Sequence, residues 1–541
     1  MFEKKKGKMG LIAAICLLIF WVICALVTDE KSVQTSFWAL VPPIIAIGLA
    51  LITKEVYSSL FIGILTGGLL VSGFSFKGTM TTVLSKGFVG VLSDKYNVGI
   101  LIFLVILGCM VALMNGAGGS TAFGKWARTH IKSRIGVQIA TIILGILIFI
   151  DDYFNCLTVG SVMRPVTDHH QISRAKLAYI IDATAAPVCI IAPISSWAAA
   201  VSGFVKGANG MQVFISAIPY NFYAILTIVM MFTIVISKTD FGPMVTHEKN
   251  AIKGDLFTTE DRPYASSDAI ESNPNGRVMD LVFPIIVLII SCVIGMIASG
   301  GFFSGTPIID AFAGSDASVG LSSGSLVALI ITIIYFVARR LLTFTKCMEC
   351  LPEGFKAMVP AILILTFAWT LKSVTDSMGA AAYVAGIVES SAGSFIHFLP
   401  AIIFVIGVFL AFATGTSWGT FGILIPIVVS AFSNDHQMMI ISISACMAGA
   451  VCGDHCSPIS DTTIMASAGA QCNHVNHVNT QLPYAMLVAA VSFVSYLLAG
   501  FTRSAVISLP IAIVLMIVVI LLIHRTAGHR IDDSMTNIAE E

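Results

Sequence analysis

The sequence predicts an all-α protein that crosses a membrane many times. Of its 541 residues, 57% are hydrophobic and 11% are charged, whereas about 25% are charged in a soluble globular protein. Apolar runs close to the ~20 residues that cross a bilayer as a helix recur along the whole chain. This composition excludes a soluble enzyme, a nucleic-acid-binding protein and a disordered scaffold. The 30 basic residues balance the 30 acidic ones, so net charge says nothing about partners. The apolar runs predict contact with membrane lipid.

Apolar runs predict a series of continuous membrane helices and two interrupted ones. The first run follows Lys4 to Lys6 and is too long for a typical signal peptide, so we expect it to be retained. The two interrupted stretches break at Asp151 to Asn155 and at Thr414 to Gly419, and each fits either a broken helix or a re-entrant hairpin. The continuous helices are predicted near residues 11–27, 36–52, 56–74, 98–114, 177–204, 220–238, 278–299, 321–340, 357–374, 438–468, 483–500 and 505–523, and the interrupted stretches at 135–165 and 398–432.

Positive charge favours the hairpin interpretation, because cytoplasmic loops of membrane proteins carry an excess of Lys and Arg. If both interrupted stretches are hairpins, every basic cluster and both termini lie in the cytoplasm, together with the polar stretch Thr239 to Asn275. The loop Gly300 to Ser323 contains no Lys or Arg and falls outside. The basic clusters are Lys4 to Lys8, Lys125 to Arg134, Arg164 to Lys176, Arg339 to Lys356 and His524 to Arg530.

The two halves of the chain carry similar motifs in the same order. Pro165 and Pro426 end the interrupted stretches and are 261 residues apart, and Pro193 and Pro458 are 265 residues apart. Under the predicted topology, corresponding helices of the two halves run in opposite directions, so the repeat is inverted. Inverted repeats with interrupted helices are typical of secondary transporters, whose binding sites lie at the interruptions.

This repeat predicts five consecutive segments. They are a cytoplasmic N-terminal segment with the first helix (1–35), a first transmembrane repeat (36–238), a cytoplasmic loop (239–276), a second, inverted transmembrane repeat (277–502), and a last helix with a cytoplasmic tail (503–541).

Polar side chains at membrane depth predict the binding site, because they are costly to bury and are usually functional there. They occur in four groups: the two interrupted stretches, the helix 177–204 and the helix 438–468. The candidate ion- or substrate-binding residues are Asp151, Asp152, Asn155, Asp182, Thr184, Ser195, Ser196, Thr416, Ser417, Trp418, Asp454, His455, Ser457, Ser460, Asp461 and Thr462.

The group in helix 438–468 is the richest in oxygen. We expect Gly453 and Pro458 to interrupt this helix, since proline lacks an amide donor and clashes with the preceding turn. The freed carbonyls, with Asp454, Ser460 and Asp461, then form a site for Na⁺, and half-helix ends in transporters supply such ligands. Pro187 and Pro193 are expected to unwind helix 177–204 in the same way. The structural alternative is that the carboxylates cap half-helices and the hydroxyls bond to nearby backbone.

Two other motifs resemble sites of a different kind. Gly119 to Lys125 is close to a phosphate-binding loop, but Trp126 stands where Ser or Thr should bind magnesium, so we reject it. The Cys and His residues between Cys452 and His477 suggest a transition-metal site, although their spacing does not form the usual pair of Cys/His groups. An intramembrane metalloenzyme that uses them is therefore the third hypothesis.

Three strings together resemble the NhaC-type Na⁺/H⁺ antiporter family. They are Gly453 to Thr463, Gly415 to Thr420 and Asp151 to Asn155, and the similarity extends over most of residues 40–500. The resemblance implies inverted repeats with paired hairpins. It also implies a transporter, since the wider family includes Na⁺/H⁺ antiporters, malate/lactate exchangers and sodium-coupled amino-acid carriers.

The residues and this resemblance together predict a secondary transporter of a bacterial cytoplasmic membrane, not an enzyme, that exchanges Na⁺ for H⁺. No cofactor is expected beyond the two coupling ions. A carboxylate that holds either Na⁺ or a proton couples them by competition, and burial favours its protonated form; Asp454, Asp461 and Asp182 are the candidates. The alternative is sodium-coupled transport of an amino acid or small organic acid, contacted by Trp197, Trp418, Tyr153 and Asn155. A homodimer is compatible with the sequence.

Overall fold

The computed structural model describes residues 18–53, 55–130, 133–149, 152–193, 195, 197, 201, 210–263, 273–380, 382–383, 386, 397–432, 435–526 and 529–530. The predicted site residues Asp151 and Ser196 lie outside these ranges. Within them the regular secondary structure is helical, except for two antiparallel two-residue strands, β1 (Thr239–Asp240) and β2 (His529–Arg530). The described helices include 6 that are long and apolar enough to cross a membrane, or up to 8 if each of two bent pairs is one span. The all-α, multi-pass prediction is confirmed.

One compact unit comprises residues 1–93 and 366–387. Polar side chains cap N-termini of its helices. At the start of α4, for example, the carboxylate of Glu55 accepts hydrogen bonds from the N–H groups of Tyr57 and Ser58. A 3-10 turn (Phe37–Leu40) precedes α3, and a π-helical segment (Thr81–Val89) joins α5 to α6. The helices are α1 (Leu18–Val27), α2 (Glu30–Val33), α3 (Val41–Thr53), α4 (Val56–Val71), α5 (Phe76–Met80) and α6 (Gly90–Ser93).

The other compact unit comprises residues 94–365 and 388–541. Its helices are α7 (Lys95–Gly116), α8 (Gly119–His130), α9 (Arg134–Leu147), α10 (Asp152–His169), α11 (Arg174–Thr184), α12 (Ala186–Cys189), α13 (Gly210–Ala217), α14 (Phe222–Ile236), α15 (Met244–Ile252), α16 (Met279–Ser299), α17 (Ile308–Ala313), α18 (Ala317–Ala338), α19 (Phe344–Ser377, which continues into the residues of the first unit), α20 (Leu399–Thr414), α21 (Ser417–Ala431), α22 (His436–Cys456), α23 (Asp461–Ala470), α24 (His474–Thr502) and α25 (Ala505–Thr526).

The predicted interruptions are present but narrower than expected. The first stretch breaks between α9 and α10, so Asp152 and Asn155 lie in the first turn of α10 and not in the break. The second breaks only at Gly415 and Thr416, between α20 and α21. Helix 177–204 unwinds at Ala185 and again after α12, and helix 438–468 unwinds between α22 and α23.

The prediction that Gly453 interrupts its helix is wrong. Gly453 lies within α22, where an added Cβ would be 2.2 Å from the carbonyl oxygen of Val408. Its missing side chain therefore allows α22 to pack closely against α20. The sequence also did not predict two bends, of 49° between residues 212–220 and 222–236 and of 43° between 344–359 and 362–377.

Helix α22 forms the centre of the second unit. Its whole apolar window is buried by other parts of the protein, whereas only 22% of the corresponding window of α25 is buried. Glycines allow the neighbouring helices to approach: Gly407 of α20 faces Gly449 of α22, and Gly160 of α10 faces Gly469 of α23. Small residues are the usual means of close helix packing in membranes. The polar end of α22 is therefore held deep within the unit.

Candidate ion-binding site

The centre of the site is the interruption between α22 and α23. After Cys456 the chain becomes extended at Ser457 (φ −93°, ψ 126°). Ser460 then caps α23, because its Oγ accepts a 3.2 Å hydrogen bond from the N–H group of Thr463. The last carbonyls of one helix and the first N–H groups of the next lack helical partners. Opposed helix ends of this kind bind ions in transporters.

Two acidic side chains flank this interruption. Asp454 lies in the last turn of α22, and its Oδ2 accepts a 2.7 Å hydrogen bond from Thr462 Oγ1. Asp461 is the first residue of α23, and its Oδ2 accepts a 2.7 Å hydrogen bond from the Tyr153 hydroxyl. Ser460 Oγ lies 3.1 Å from Thr462 Oγ1. The predicted sodium ligands Asp454, Ser460 and Asp461 thus lie around one break. The Thr462 hydroxyl contacts both Asp454 and Ser460.

The third carboxylate, Asp182 of α11, lies close to the same break between α22 and α23. Its Oδ2 accepts hydrogen bonds from Thr463 Oγ1 (3.0 Å) and from Gln481 Nε2 (2.6 Å). Two histidines are near it: His455 Nε2 is 3.9 Å from Asp182 Oδ1, and His477 Nε2 is 3.7 Å from Asp182 Oδ2. The carboxylates predicted from the two halves of the chain therefore converge.

Burial decides what these carboxylates can do. Asp182 and Asp454 are both 0% exposed, and one oxygen of each, Oδ1, has no hydrogen-bond partner among the described residues. In the same part of the chain, Asp182 lies within 4 Å of His455 and His477, which form ion pairs with it only when protonated, and Asp454 has no basic side chain at such a distance. An ionised carboxylate that is buried without a compensating charge is strongly unfavourable. Asp454 therefore requires either a proton or a cation.

Asn155 stabilises the break between α9 and α10 through hydrogen bonds of its side-chain amide. Its Nδ2 donates to the carbonyl oxygens of Gly145 (2.7 Å) and Ile148 (2.8 Å) at the end of α9, and lies 3.3 Å from the Thr184 carbonyl oxygen at the end of α11. A Cβ on Gly145 would lie 2.2 Å from Thr184 Oγ1. The amide nitrogen of Asn155 thus connects the ends of α9 and α11, whereas its Oδ1 has no partner among the described residues.

The break between α20 and α21 lies against the centre of the site. Gly415 has φ +66°, a left-handed conformation that favours glycine, and a Cβ there would lie 2.5 Å from the Ile459 carbonyl oxygen. Ser457 Oγ also donates a 2.8 Å hydrogen bond to the Phe412 carbonyl oxygen. Ser417 is 2% exposed, and its Oγ has no partner among the described residues.

Three aromatic rings pack beside this break. The centroid of Trp197 is 5.2 Å from that of Trp418 and 4.9 Å from that of Phe421, and Trp418 is 5.5 Å from Phe421. In the described part of the chain, neither indole N–H group has a hydrogen-bond partner, although both are buried. Buried Trp normally finds a partner for its N–H group, so this cluster offers two donors.

Other predicted residues take local roles. Thr184 Oγ1 donates to the Ile180 carbonyl oxygen within its own helix, and Ser195 Oγ donates to the carbonyl oxygens of Cys189 and Ala192. Asp152 is buried in the first turn of α10, where its Oδ1 accepts from the N–H group of Tyr153.

Sequence reasoning missed several residues that contact the carboxylates. Thr463, His477 and Gln481 were not among the residues predicted for the ion site. His474, His477 and Gln481 lie at i, i+3 and i+7 on α24, hence on one face of a largely apolar helix. This polar face on an apolar helix is the feature of the sequence that could have placed His477 and Gln481 in the site. The described residues contain no group of three His, Cys, Asp or Glu side chains arranged to hold a metal ion, so the metalloenzyme hypothesis has no geometric support there.

Comparison with known proteins identifies the family of this chain. The family model of the Na⁺/H⁺ antiporter family matches residues 177–501, a range that includes Asp182, Asp454 and Asp461. A Haemophilus influenzae protein described as "Uncharacterized protein" is 39% identical over 514 residues, which cover 91% of this chain and 96% of the relative. The extent of the family match shows that this chain belongs to the Na⁺/H⁺ antiporter family.

Proposed function

We propose that this protein exchanges Na⁺ for H⁺ across the membrane, and that Asp454 and Asp461 bind the transported ion. The observation that carries this proposal is the environment of Asp454: the residue is 0% exposed, its Oδ2 accepts from the neutral hydroxyl of Thr462, and its Oδ1 has no partner among the described residues. A site of this kind takes one positive charge, and either ion supplies it.

The exchange of ions follows because Na⁺ and a proton compete for the same carboxylate, that of Asp454. Na⁺ takes oxygen ligands from Asp454, Ser460 and Asp461, with carbonyl groups at the end of α22 completing the shell. A proton on the same carboxylate removes the charge that holds Na⁺, so the two ions exclude each other. Burial favours the protonated form of a carboxyl group, and so allows a proton to compete with Na⁺. Asp182 is the third ion-binding candidate.

A second candidate function is sodium-coupled transport of an amino acid or a small organic acid. The aromatic cluster favours it, because Trp197, Trp418 and Phe421 pack within 5.5 Å of one another. A bare cation does not need two indole N–H donors, whereas a carboxylate group on a substrate can accept from them. The partnerless Ser417 Oγ adds a hydroxyl beside them.

One reconstituted system distinguishes the two functions. Purified protein in liposomes that contain a pH-sensitive dye should acidify or alkalinise the lumen when a Na⁺ gradient is imposed, without any organic solute. The sign should reverse with the gradient. If proton movement requires an added amino or organic acid, identified by counterflow with a labelled panel, the second function replaces the first. If a Na⁺ gradient drives neither process, both are wrong.

The topology remains a proposal: inverted repeats, residues 36–238 and 277–502, in a bacterial cytoplasmic membrane, with both termini and the segment 239–276 in the cytoplasm. It is testable because the described cysteines are all buried, so background labelling should be low. Glu260→Cys should react with an impermeant maleimide only after the membrane is opened. Phe303→Cys, at a side chain that is 72% exposed, should react from outside in intact cells. Outside labelling of Glu260→Cys would contradict the inverted repeat.

A further inference from the structure

The side chain of Gln481, on α24, reaches three parts of the candidate ion site. The residue is 1% exposed. Its Nε2 donates a 2.6 Å hydrogen bond to Asp182 Oδ2 on α11 and a 2.9 Å hydrogen bond to the carbonyl oxygen of His455 in α22. Its Oε1 lies 2.9 Å from His477 Nε2. One buried amide therefore connects α24 to α11 and to the end of α22.

The partners of this amide determine its orientation. The His455 carbonyl oxygen can only accept, so it must face the amide nitrogen of Gln481, which has a second N–H group for Asp182. The amide oxygen then faces His477 Nε2, which must donate to it. The other ring nitrogen of this histidine, Nδ1, lies 2.9 Å from Ser467 Oγ. Rotating the amide by 180° would place two oxygens against each other, so this arrangement is fixed.

The same amide fixes one side of Asp182. Oδ2 accepts from Gln481 Nε2 on α24 and, at 3.0 Å, from Thr463 Oγ1 on α23. Asp182 is 0% exposed, and its Oδ1 has no hydrogen-bond partner among the described residues. Because the carboxyl group is planar, two donors on Oδ2 also determine where Oδ1 lies. Asp182 thus has one oxygen that is used by the protein and one that is available to an ion.

Gln481 also restrains the end of α22. The last carbonyl groups of a helix lack partners within that helix, and the carbonyl group of His455 is bonded to the Gln481 amide instead. His455 directly follows Asp454, the acid in the last turn of α22. A single side chain therefore restrains both helices that carry a buried acid with an unpartnered oxygen.

We propose that Gln481 is a positioning residue of the ion site, and that it holds Asp182 so that Oδ1 takes part in binding the transported ion. This inference rests on the proposed function, because it requires an ion at this site. Both N–H groups of Gln481 are already used, so the residue acts through Asp182. Its loss should weaken the affinity for Na⁺ because Asp182 is no longer held in place.

The test compares Gln481→Met with the wild type. Methionine has a similar length and no amide, so it fills the same space but cannot hold Asp182. Na⁺-driven proton movement in proteoliposomes is measured over a range of Na⁺ concentrations, and the rise of Tm with Na⁺ reports binding without transport. The Na⁺ concentration for half-saturation should rise about ten-fold in both measurements, equivalent to about 1.4 kcal/mol. The maximal rate should change less, because saturating Na⁺ still fills the site.

Thr480→Val is the matched control on the same helix. Thr480 is 0% exposed, and its Oγ1 donates to the carbonyl oxygens of Asn476 and His477 within α24. Valine keeps the shape of the side chain and removes these two hydrogen bonds. The substitution may change Tm only through the fold, so the Na⁺ concentration for half-saturation should equal that of the wild type.

A double-mutant cycle distinguishes positioning from packing. If Gln481 acts through Asp182, Gln481→Met should cause little further loss of Na⁺ affinity in a protein that already carries Asp182→Asn, because residues that act together are not additive. Wild-type half-saturation in Gln481→Met, an equal rise in Thr480→Val, or effects that multiply in the double variant would each overturn the inference. A wild-type protein whose Tm and proton movement do not respond to Na⁺ would instead contradict the proposed function.

Discussion

Replacing Asp454 with Asn should raise the Na⁺ concentration for half-maximal transport by more than about ten-fold and abolish proton coupling. Asparagine keeps the shape of the side chain but removes the charge that compensates a desolvated cation. Opposite charges a few Å apart are worth about 4 kcal/mol even at an effective dielectric constant of 20, and 1.4 kcal/mol already corresponds to about ten-fold. An amide cannot exchange a proton at neutral pH. Asp461→Asn should act in the same direction.

The control for this experiment is Asp310→Asn, which removes a carboxylate from an exposed position on α17. Sodium-driven proton movement in proteoliposomes, measured over a range of Na⁺ concentrations, should be unchanged in this variant. Wild-type half-saturation in both Asp454→Asn and Asp461→Asn would move the ion site elsewhere. Asp182 would then be the next residue to replace, because it also has a buried oxygen without a partner among the described residues.

Replacing Gly160 with Ala should lower Tm and impair transport. A Cβ at Gly160 would lie 2.4 Å from the carbonyl carbon and 2.6 Å from the oxygen of Gly469. Because these are backbone atoms, α10 and α23 must separate, and overpacking of this kind costs about 1–3 kcal/mol. Tyr153 lies two turns before Gly160 on the same face of α10. Separation should therefore break its 2.7 Å hydrogen bond to Asp461.

Gly48→Ala is the control for this second substitution, because Gly48 lies in α3 with nothing within 4 Å of the added Cβ. Alanine is the better helix former by about 1 kcal/mol, so Tm should stay the same or rise slightly. Tyr153→Phe isolates the lost hydrogen bond, and should weaken Na⁺ dependence with a smaller effect on Tm. An unchanged Tm and normal transport in Gly160→Ala would contradict the packing described for α10 and α23.

The sequence was sufficient to predict helices and the residues around Pro458, because both depend on local properties. Apolar length predicts a membrane helix, and Pro458 with the polar residues around it predicts the end of α22. Proline alone is not sufficient, since Pro165, Pro426 and Pro483 lie inside helices. Gly453 shows the limit of this reasoning. A glycine can interrupt a helix, or it can allow a second helix to pack closely against the first. The close approach of the Val408 carbonyl oxygen on α20 shows that Gly453 does the second, and this contact is not visible in the sequence.

Partners that are distant in the sequence could not be predicted. Tyr153 and Asp461 are 308 residues apart and Gln481 and Asp182 are 299 apart, so their contacts depend on how whole helices pack. Asn155 was predicted to contact an organic substrate only under the alternative function. Its Nδ2 donates to the carbonyl oxygens of Gly145 and Ile148, which the sequence did not indicate, while its Oδ1 has no partner among the described residues. Glu248 lies in a segment whose composition resembles a solvated loop, and its burial comes from Arg134 and Ser173.

The contact between Gly415 and Ile459 restricts how the transporter can move. The two helix breaks touch backbone to backbone, and the bond from Ser457 to the Phe412 carbonyl oxygen joins them again. Neither break has room to shift alone. We therefore expect α20 to α23 to move together during a transport cycle and to carry Asp454 and Asp461 with them, with α10 attached through Gly160 and Tyr153.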